Sequence, residues 1–136
     1  MTPITVEAII NVPVEKVWKF WTTPEDIQAW NHASDDWECP RAENDVRVGG
    51  KFMSTMSSKD GMFSFDFTGV YSEVEEGKLL AYKLPDGRKV RVTFESLGET
   101  TKVVEVFDPE GENSVEMQKS GWQSILDNFK GYAEGK

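Results

Sequence analysis

The sequence predicts an α+β fold in which a curved antiparallel sheet of about six or seven strands surrounds one long C-terminal helix. Apolar residues recur at helical spacing near both ends of the chain. Between these ends, several segments alternate between apolar and polar residues, and Gly, Asp and Pro separate them at short intervals. At 136 residues the chain has the length of one domain, so we expect a single domain over residues 1–136.

The N-terminal part of the chain is predicted to form one strand and two short helices. The strand lies at ITVEAIINV, where β-branched and polar residues mix. In PVEKVWKFWT the apolar residues instead recur at i, i+3, i+4 and i+7, which is typical of a helix. Thr23 can cap a second helix and Pro24 suits its first turn, so this helix follows directly. We interpret the segment after it, through residue 48, as irregular.

Five further strands are predicted in the middle of the chain, joined mainly by short hairpins. Alternation within them separates an apolar face from a polar face, as where Val90 and Val92 oppose Lys89 and Arg91. The sheet is therefore expected to have one dry face and one wet face. The five segments are GKFMSTMSS, MFSFDFTGVYSEV, KLLAYKL, RKVRVTFESL and TTKVVEVF.

The last helix is predicted to begin at about residue 113, because Asn113 and Glu116 have the spacing of a capping box. Its apolar stripe is expected to cover the dry face of the sheet. Gln118 falls within that stripe and Gly121 lies beside it, so we expect the Gln118 amide to project between helix and sheet. The stripe consists of Trp122, Ile125, Leu126, Phe129, Tyr132 and Ala133.

The charge and the cysteine content exclude several classes of protein. A formal charge of −9 disfavours nucleic acid and anionic membranes as partners, because binding them requires clustered Lys and Arg. No segment is predicted to insert into a membrane, and the single Cys excludes an intramolecular disulfide. The N-terminal sequence MTPITVEAII has no pattern of an export signal, so we expect a cytoplasmic protein.

Four segments of the chain resemble the START-like (SRPBCC) superfamily, and within it the bacterial homologues of the activator of the heat-shock-protein-90 ATPase, which are often described as polyketide-cyclase-like. The resemblance covers essentially the whole chain. It implies the helix-grip fold, with a cavity between the sheet and the long helix that holds hydrophobic molecules such as lipids, sterols or polyketides. The segments are NVPVEKVWKFWT (11–22), WNHASDDWECPRAENDVRVGGKF (30–52), Phe67-Thr68-Gly69 and EMQKSGWQSILDNF (116–129).

Aromatic and methionine side chains are the candidates for the wall of such a cavity, and a filled aromatic core is the alternative. Gln118 and His32 would supply polar groups that orient a ligand. Met56 is a further candidate. The ligand-binding residues that we predict are Trp30, His32, Trp37, Phe52, Phe65, Phe67, Met117, Gln118, Gly121 and Trp122.

The stretch WNHASDDWECP contains the only His and the only Cys of the chain. His32 and Cys39 could form a nucleophile pair, but no third group is identifiable that would orient them, so we assign no catalytic residue. The spacing of Asp35, Asp36 and Glu38 fits neither a calcium loop nor a zinc motif. We therefore predict no metal site and no cofactor, and expect His32 on the rim of the cavity.

Three functions remain open from the sequence. The first is a binding protein for a small, mostly hydrophobic molecule. The second is a polyketide-cyclase-like enzyme or a hydrolase, in which His32 would be the general base, tuned by Asp35 or Asp36. The third is a regulator that contacts a chaperone through its acidic surface, as the resemblance suggests. The oligomeric state is not predicted.

Overall fold

A computed structural model describes residues 2–136 of the chain. Over these residues the chain forms seven strands and three helices, in the predicted order. They are β1 (Ile4–Ile10), α1 (Val14–Thr22), α2 (Pro24–Trp30), β2 (Trp37–Asn44), β3 (Lys51–Ser58), β4 (Ser64–Glu75), β5 (Leu79–Lys83), β6 (Lys89–Ser96), β7 (Thr101–Phe107) and α3 (Val115–Glu134).

The seven strands form one antiparallel sheet in the order β1-β7-β6-β5-β4-β3-β2. The sheet curls into a half-barrel, and α3 lies against its concave face. This arrangement confirms the predicted α+β class and the helix-grip architecture. The predicted alternation in β6 is also confirmed, since Val90, Val92 and Phe94 are buried while Lys89 and Arg91 are exposed.

Strand β2 lies in the segment that we predicted to be irregular, and that prediction is wrong. Its sequence, WECPRAEN, lacks regular alternation and contains Pro40, which cannot donate a ladder hydrogen bond. The structure accommodates Pro40 because β2 is an edge strand, and its register with β3 shifts between Glu38 and Arg41. Edge strands with bulges carry a weak sequence pattern because much of their surface meets water.

The cap of helix α3 lies one residue later than predicted. Ser114 has an extended backbone, and its hydroxyl oxygen accepts a hydrogen bond from the Met117 amide over 3.1 Å. Ser114 therefore caps α3, and the predicted capping role of Asn113 is wrong. The apolar stripe is as predicted, since Leu126 and Phe129 are fully buried. Burial of a side chain such as Phe129 contributes about 1.5–3 kcal/mol to the free energy of unfolding.

The two short helices close one end of the half-barrel with a cluster of aromatic rings. Trp21, Trp30 and Phe129 contact one another, with ring centroids 4.8–4.9 Å apart. The indole N–H of Trp30 donates to the Phe20 carbonyl over 2.9 Å, which fixes α2 against α1. In residues 2–136, no helix is both long enough and apolar enough to cross a membrane.

Candidate functional site

A cavity of about 330 Å³ lies between the concave face of the sheet and the helices. Trp122 and Ile125 of α3 form one wall, and Trp21 and Trp30 of the short helices form another. The sheet supplies the rest of the lining, which is mainly aromatic and apolar. The residues that it contributes include Phe52, Ser54, Met56, Phe65, Phe67, Tyr71, Leu80, Tyr82 and Glu105.

Packing against the sheet holds the α3 wall in place. The Trp122 ring stacks on Phe107 with centroids 3.9 Å apart and planes 11° apart, and its edge meets Phe67 at 6.2 Å. An indole held between two rings loses little further freedom when a ligand arrives. The wall is therefore pre-formed.

Phe52 forms the centre of the wall that β3, β4 and β5 supply. Its ring lies 4.7 Å from the Tyr82 ring and 5.8 Å from the Phe67 ring, measured between centroids. Gly69 makes room for it, because a Cβ at position 69 would lie 2.6 Å from a Phe52 ring carbon. Gly69 lies within β4, and because it has no side chain the Phe52 ring can pack directly against the backbone there.

A hydrogen-bonded pair of polar side chains lies at one side of the cavity. The Tyr71 hydroxyl donates to Asn44 Oδ1 over 2.6 Å, and Asn44 Nδ2 donates to the Thr22 carbonyl over 2.8 Å. The Asn44 amide therefore links β2 to the end of α1. Burial raises the pKa of Tyr71 to about 12, so its hydroxyl remains a neutral donor at physiological pH.

Glu105 is the one acidic side chain on the inner face of β7, where it lies between the fully buried Val103 and Phe107. It is 5% exposed and lines the cavity. Burial alone raises the pKa of its carboxyl to about 8, and no hydrogen bond or ion pair within residues 2–136 opposes that rise. The carboxyl therefore presents unused hydrogen-bonding capacity to the cavity.

Tyr82 and Arg88 line the cavity together with Glu105. The pKa of Tyr82 lies well above its ordinary value, first because of burial and then because of the negative charges that Glu105 and Tyr71 carry once they are ionised. The Arg88 guanidinium is already paired, since its Nε lies 2.7 Å from an oxygen of Asp86. Arg88 consequently leaves the Glu105 carboxyl without a cationic partner.

Half of the ten predicted ligand-binding residues line the cavity, and Met56 does so as well. These residues come from four separate elements, which the fold brings together around one space. Whether they bind a ligand remains a prediction. The five are Trp30, Phe52, Phe65, Phe67 and Trp122.

Three predicted residues of α3 do not line the cavity, and their predicted placement there is corrected. Met117 is 62% exposed, and Gly121 has open space around it. Gln118 is buried, but its amide donates to the carbonyls of Glu110 and Asn113 and accepts from the Glu110 amide, over 2.8–3.1 Å. The amide thus serves the loop that precedes α3, because the first turn of the helix extends beyond the cavity.

His32 and Trp37 also lie outside the lining, and their predicted roles in ligand binding stay predictions. The His32 Nε2 atom lies 3.1 Å from the amide nitrogen of Asn128, while its Nδ1 atom is buried without a partner. Trp37 packs against Phe65 in an edge-to-face arrangement, with ring centroids 6.1 Å apart. Without an imidazole in the described lining, the cyclase or hydrolase alternative that relied on His32 has no support in the cavity.

The other candidates in this stretch of the chain have structural explanations. Cys39 is 2% exposed, its thiol donates to the Arg41 carbonyl over 3.5 Å, and burial raises its pKa, which disfavours the reactive thiolate. Asp35, Asp36 and Glu38 are exposed. Within residues 2–136, no three or more His, Cys, Asp and Glu side chains are placed to hold a metal ion.

Replacement of His32 by Ala is expected to leave ligand affinity within about tenfold of the wild type, because the imidazole is bound to α3 and does not face the cavity. Fluorescence titration of both proteins with the apolar dye N-phenyl-1-naphthylamine measures the affinity. A loss greater than tenfold in a correctly folded variant would show that His32 acts on the ligand.

Glu105 is the most unusual group of the site and was not predicted from the sequence. The signal was present in TTKVVEVF, where alternation places residue 105 on the same face as Val103 and Phe107. A charged residue on an apolar face indicates either a partner or a function. Tyr71 and Tyr82 were missed as well, because tyrosine in a strand is equally typical of an ordinary core.

A protein-family model matches most of the chain. The model of the family described as "Activator of Hsp90 ATPase homolog 1-like protein" matches residues 11–134. The solution structure of an AHSA1-like protein from Aeromonas hydrophila is 44% identical with a TM-score of 0.92, covering 98% of this chain and 92% of that chain. That of Chr148 from Cytophaga hutchinsonii is 50% identical with a TM-score of 0.84 and the same coverage.

A more distant similarity extends to the fold alone. The crystal structure of CV1439 from Chromobacterium violaceum is 20% identical with a TM-score of 0.86, covering 98% of this chain and 99% of that chain. A search of the curated proteins finds no match.

Proposed function

This chain belongs to the Activator of Hsp90 ATPase homolog 1-like family, and we propose that this member binds a small, mostly hydrophobic molecule in the cavity between the sheet and α3. The observation that carries the proposal is the cavity itself, whose walls are large aromatic side chains that do not fill it. A core whose only purpose was stability would close such a space, since interiors pack as densely as organic crystals.

The dimensions and the chemistry of the cavity support this proposal. Its volume of about 330 Å³ falls within the range of about 300–1,000 Å³ that is typical of small-molecule sites. Its lining combines aromatic rings with a few polar groups, among them Tyr71, Tyr82 and Glu105. Such a lining obtains affinity from shape and apolar contact, and uses the polar groups to orient the ligand.

Replacement of Ser54 by Leu is expected to weaken ligand binding more than about tenfold, because the added side chain occupies space that the ligand needs. Ser54 is 6% exposed and lines the cavity. Ser57→Leu is the matched control, since Ser57 lies on the same strand and faces the other side, where it contacts Ser64. The fluorescence of N-phenyl-1-naphthylamine, which rises in apolar surroundings, measures binding to each protein.

The expected result is saturable binding to the wild type and to Ser57→Leu, and at least tenfold weaker binding to Ser54→Leu. Equal binding to all three proteins would place the dye on the surface and would contradict the proposal. Absence of dye binding to the wild type would also contradict the proposal.

A second candidate function is contact with a chaperone, which the family description suggests. The β3–β4 hairpin ends in two strongly exposed apolar side chains, Met62 at 74% and Phe63 at 63%. Exposed apolar groups at the tip of a hairpin are typical of protein contact surfaces. A pull-down with a purified Hsp90-type chaperone tests this function, and Phe63→Ser should remove any retained protein while leaving dye binding intact.

A further inference from the structure

The Glu105 carboxyl has no partner, and its surroundings limit what could provide one. The residue is 95% buried, as its exposure of 5% shows, and it faces the cavity. A buried polar group without a hydrogen bond destabilises the folded chain, and a charged one does so more strongly. A ligand that satisfies this carboxyl therefore gains affinity that a purely apolar ligand does not.

Aromatic rings and hydroxyl groups surround the same space. Tyr82 remains neutral because its pKa is raised, so its hydroxyl oxygen can accept a hydrogen bond. Trp122 and Phe52 present rings to the cavity, and ring faces attract cations. Arg88 is the only cationic side chain in the described lining, and Asp86 already pairs with it.

We propose that the ligand of this cavity carries a protonated amine on an apolar body, and that Glu105 binds the amine. The inference rests on the proposed function, since it requires that the cavity holds a small molecule. It goes beyond that function because it names the chemical class of the ligand and the residue that selects it.

An ammonium group fits the carboxyl better than the other common head groups. It brings an opposite charge and three donors, so that it can pair with the Glu105 carboxylate and still offer a donor to a neutral acceptor of the lining. A neutral alcohol brings one donor and no charge. A carboxylic acid brings a like charge, and its attraction to Arg88 competes with Asp86. The net charge of −9 also favours the approach of cations over anions.

Three naphthalene compounds of similar size test the inference, namely 1-naphthylmethylamine, 1-naphthalenemethanol and 1-naphthoic acid. Their affinities are measured by isothermal titration calorimetry near pH 8, where the Glu105 carboxyl is about half ionised. The proteins are the wild type, Glu105→Gln and Glu95→Gln. Glu95 is exposed on β6, so the control variant makes the same change of charge outside the cavity.

The expected result is that the amine binds the wild type at least about tenfold more tightly than the alcohol, and that the acid binds most weakly. Glu105→Gln should remove the preference for the amine by lowering its affinity about tenfold or more, while the affinity for the alcohol changes less than about threefold. Glu95→Gln should behave as the wild type does.

Two outcomes separate the inference from the proposed function. Equal binding of amine and alcohol, or preferential binding of the acid, would overturn the amine assignment and leave the cavity as a binding site. Binding of none of the three compounds would count against both.

Discussion

Replacement of Glu105 by Gln is expected to raise the free energy of unfolding by about 2–4 kcal/mol near pH 8, and to change it little near pH 5. Burial raises the pKa of the Glu105 carboxyl from 4.5 to about 8. Between pH 4.5 and pH 8 the carboxyl is therefore protonated in the folded chain and ionised in the unfolded chain. The free energy of unfolding of the wild type therefore falls as the pH rises through this window. Gln keeps the shape of the protonated carboxyl and does not titrate.

The tyrosines and the arginine that line the cavity with Glu105 do not alter the sign of this effect. Tyr71 and Tyr82 remain neutral throughout the window because their pKa values are raised. Arg88 remains charged and paired with Asp86.

Urea unfolding of the wild type, Glu105→Gln and the control Glu95→Gln near pH 5 and near pH 8 measures the effect. The difference in the free energy of unfolding between the wild type and Glu105→Gln should increase as the pH rises. Glu95→Gln should show the same pH dependence as the wild type. An equal fall in the free energy of unfolding for all three proteins would show that the Glu105 carboxyl is solvated, which contradicts its burial in the cavity.

Replacement of Gln118 by Met is expected to lower the free energy of unfolding by about 2–3 kcal/mol. Met has a similar size but cannot replace the three hydrogen bonds that the amide makes with Glu110 and Asn113. Two carbonyls and one N–H lose their partner, and the loop between β7 and α3 loses its attachment to the helix. Affinity for an apolar dye should remain unchanged, because Gln118 does not line the cavity.

Urea unfolding and dye titration of Gln118→Met provide the two measurements. Gln123→Met is a suitable control on the same helix, since Gln123 makes its hydrogen bonds at the exposed surface and should cost less than about 1 kcal/mol. Unchanged or increased stability together with weaker dye binding would contradict the role of Gln118 in holding the loop. Such a result would indicate that the amide contacts the ligand in the cavity.

The sequence was sufficient for the parts of the fold in which local periodicity and burial agree. Strand β6 alternates between buried and exposed residues, and the Leu126 and Phe129 face of α3 has helical spacing, so both were predicted correctly. Strand β2 was not predicted, because an edge strand with Pro40 and a register shift gains its order from pairing with β3. Such pairing is a non-local property that the local pattern does not contain.

The site was predicted in part for a related reason. Periodicity gives the face of an element on which Trp122 or Phe67 lies, and both residues line the cavity. It does not show where a cavity ends along a helix, so Met117 and Gln118 were assigned to the cavity although the first turn of α3 extends past it. Glu105 could have been found from the alternation of β7, but its lack of a partner is visible only in three dimensions.

The five tryptophans provide the most direct measurement of the central claim, that the cavity binds a small molecule. Trp21, Trp30 and Trp122 line the cavity, whereas Trp18 and Trp37 do not. Two-dimensional NMR resolves the indole N–H signal of each during titration with 1-naphthalenemethanol. We predict saturable shifts of the three lining indoles while Trp18, which packs on Phe94, remains unchanged. Unchanged signals of all three lining indoles at ligand saturation would contradict the claim.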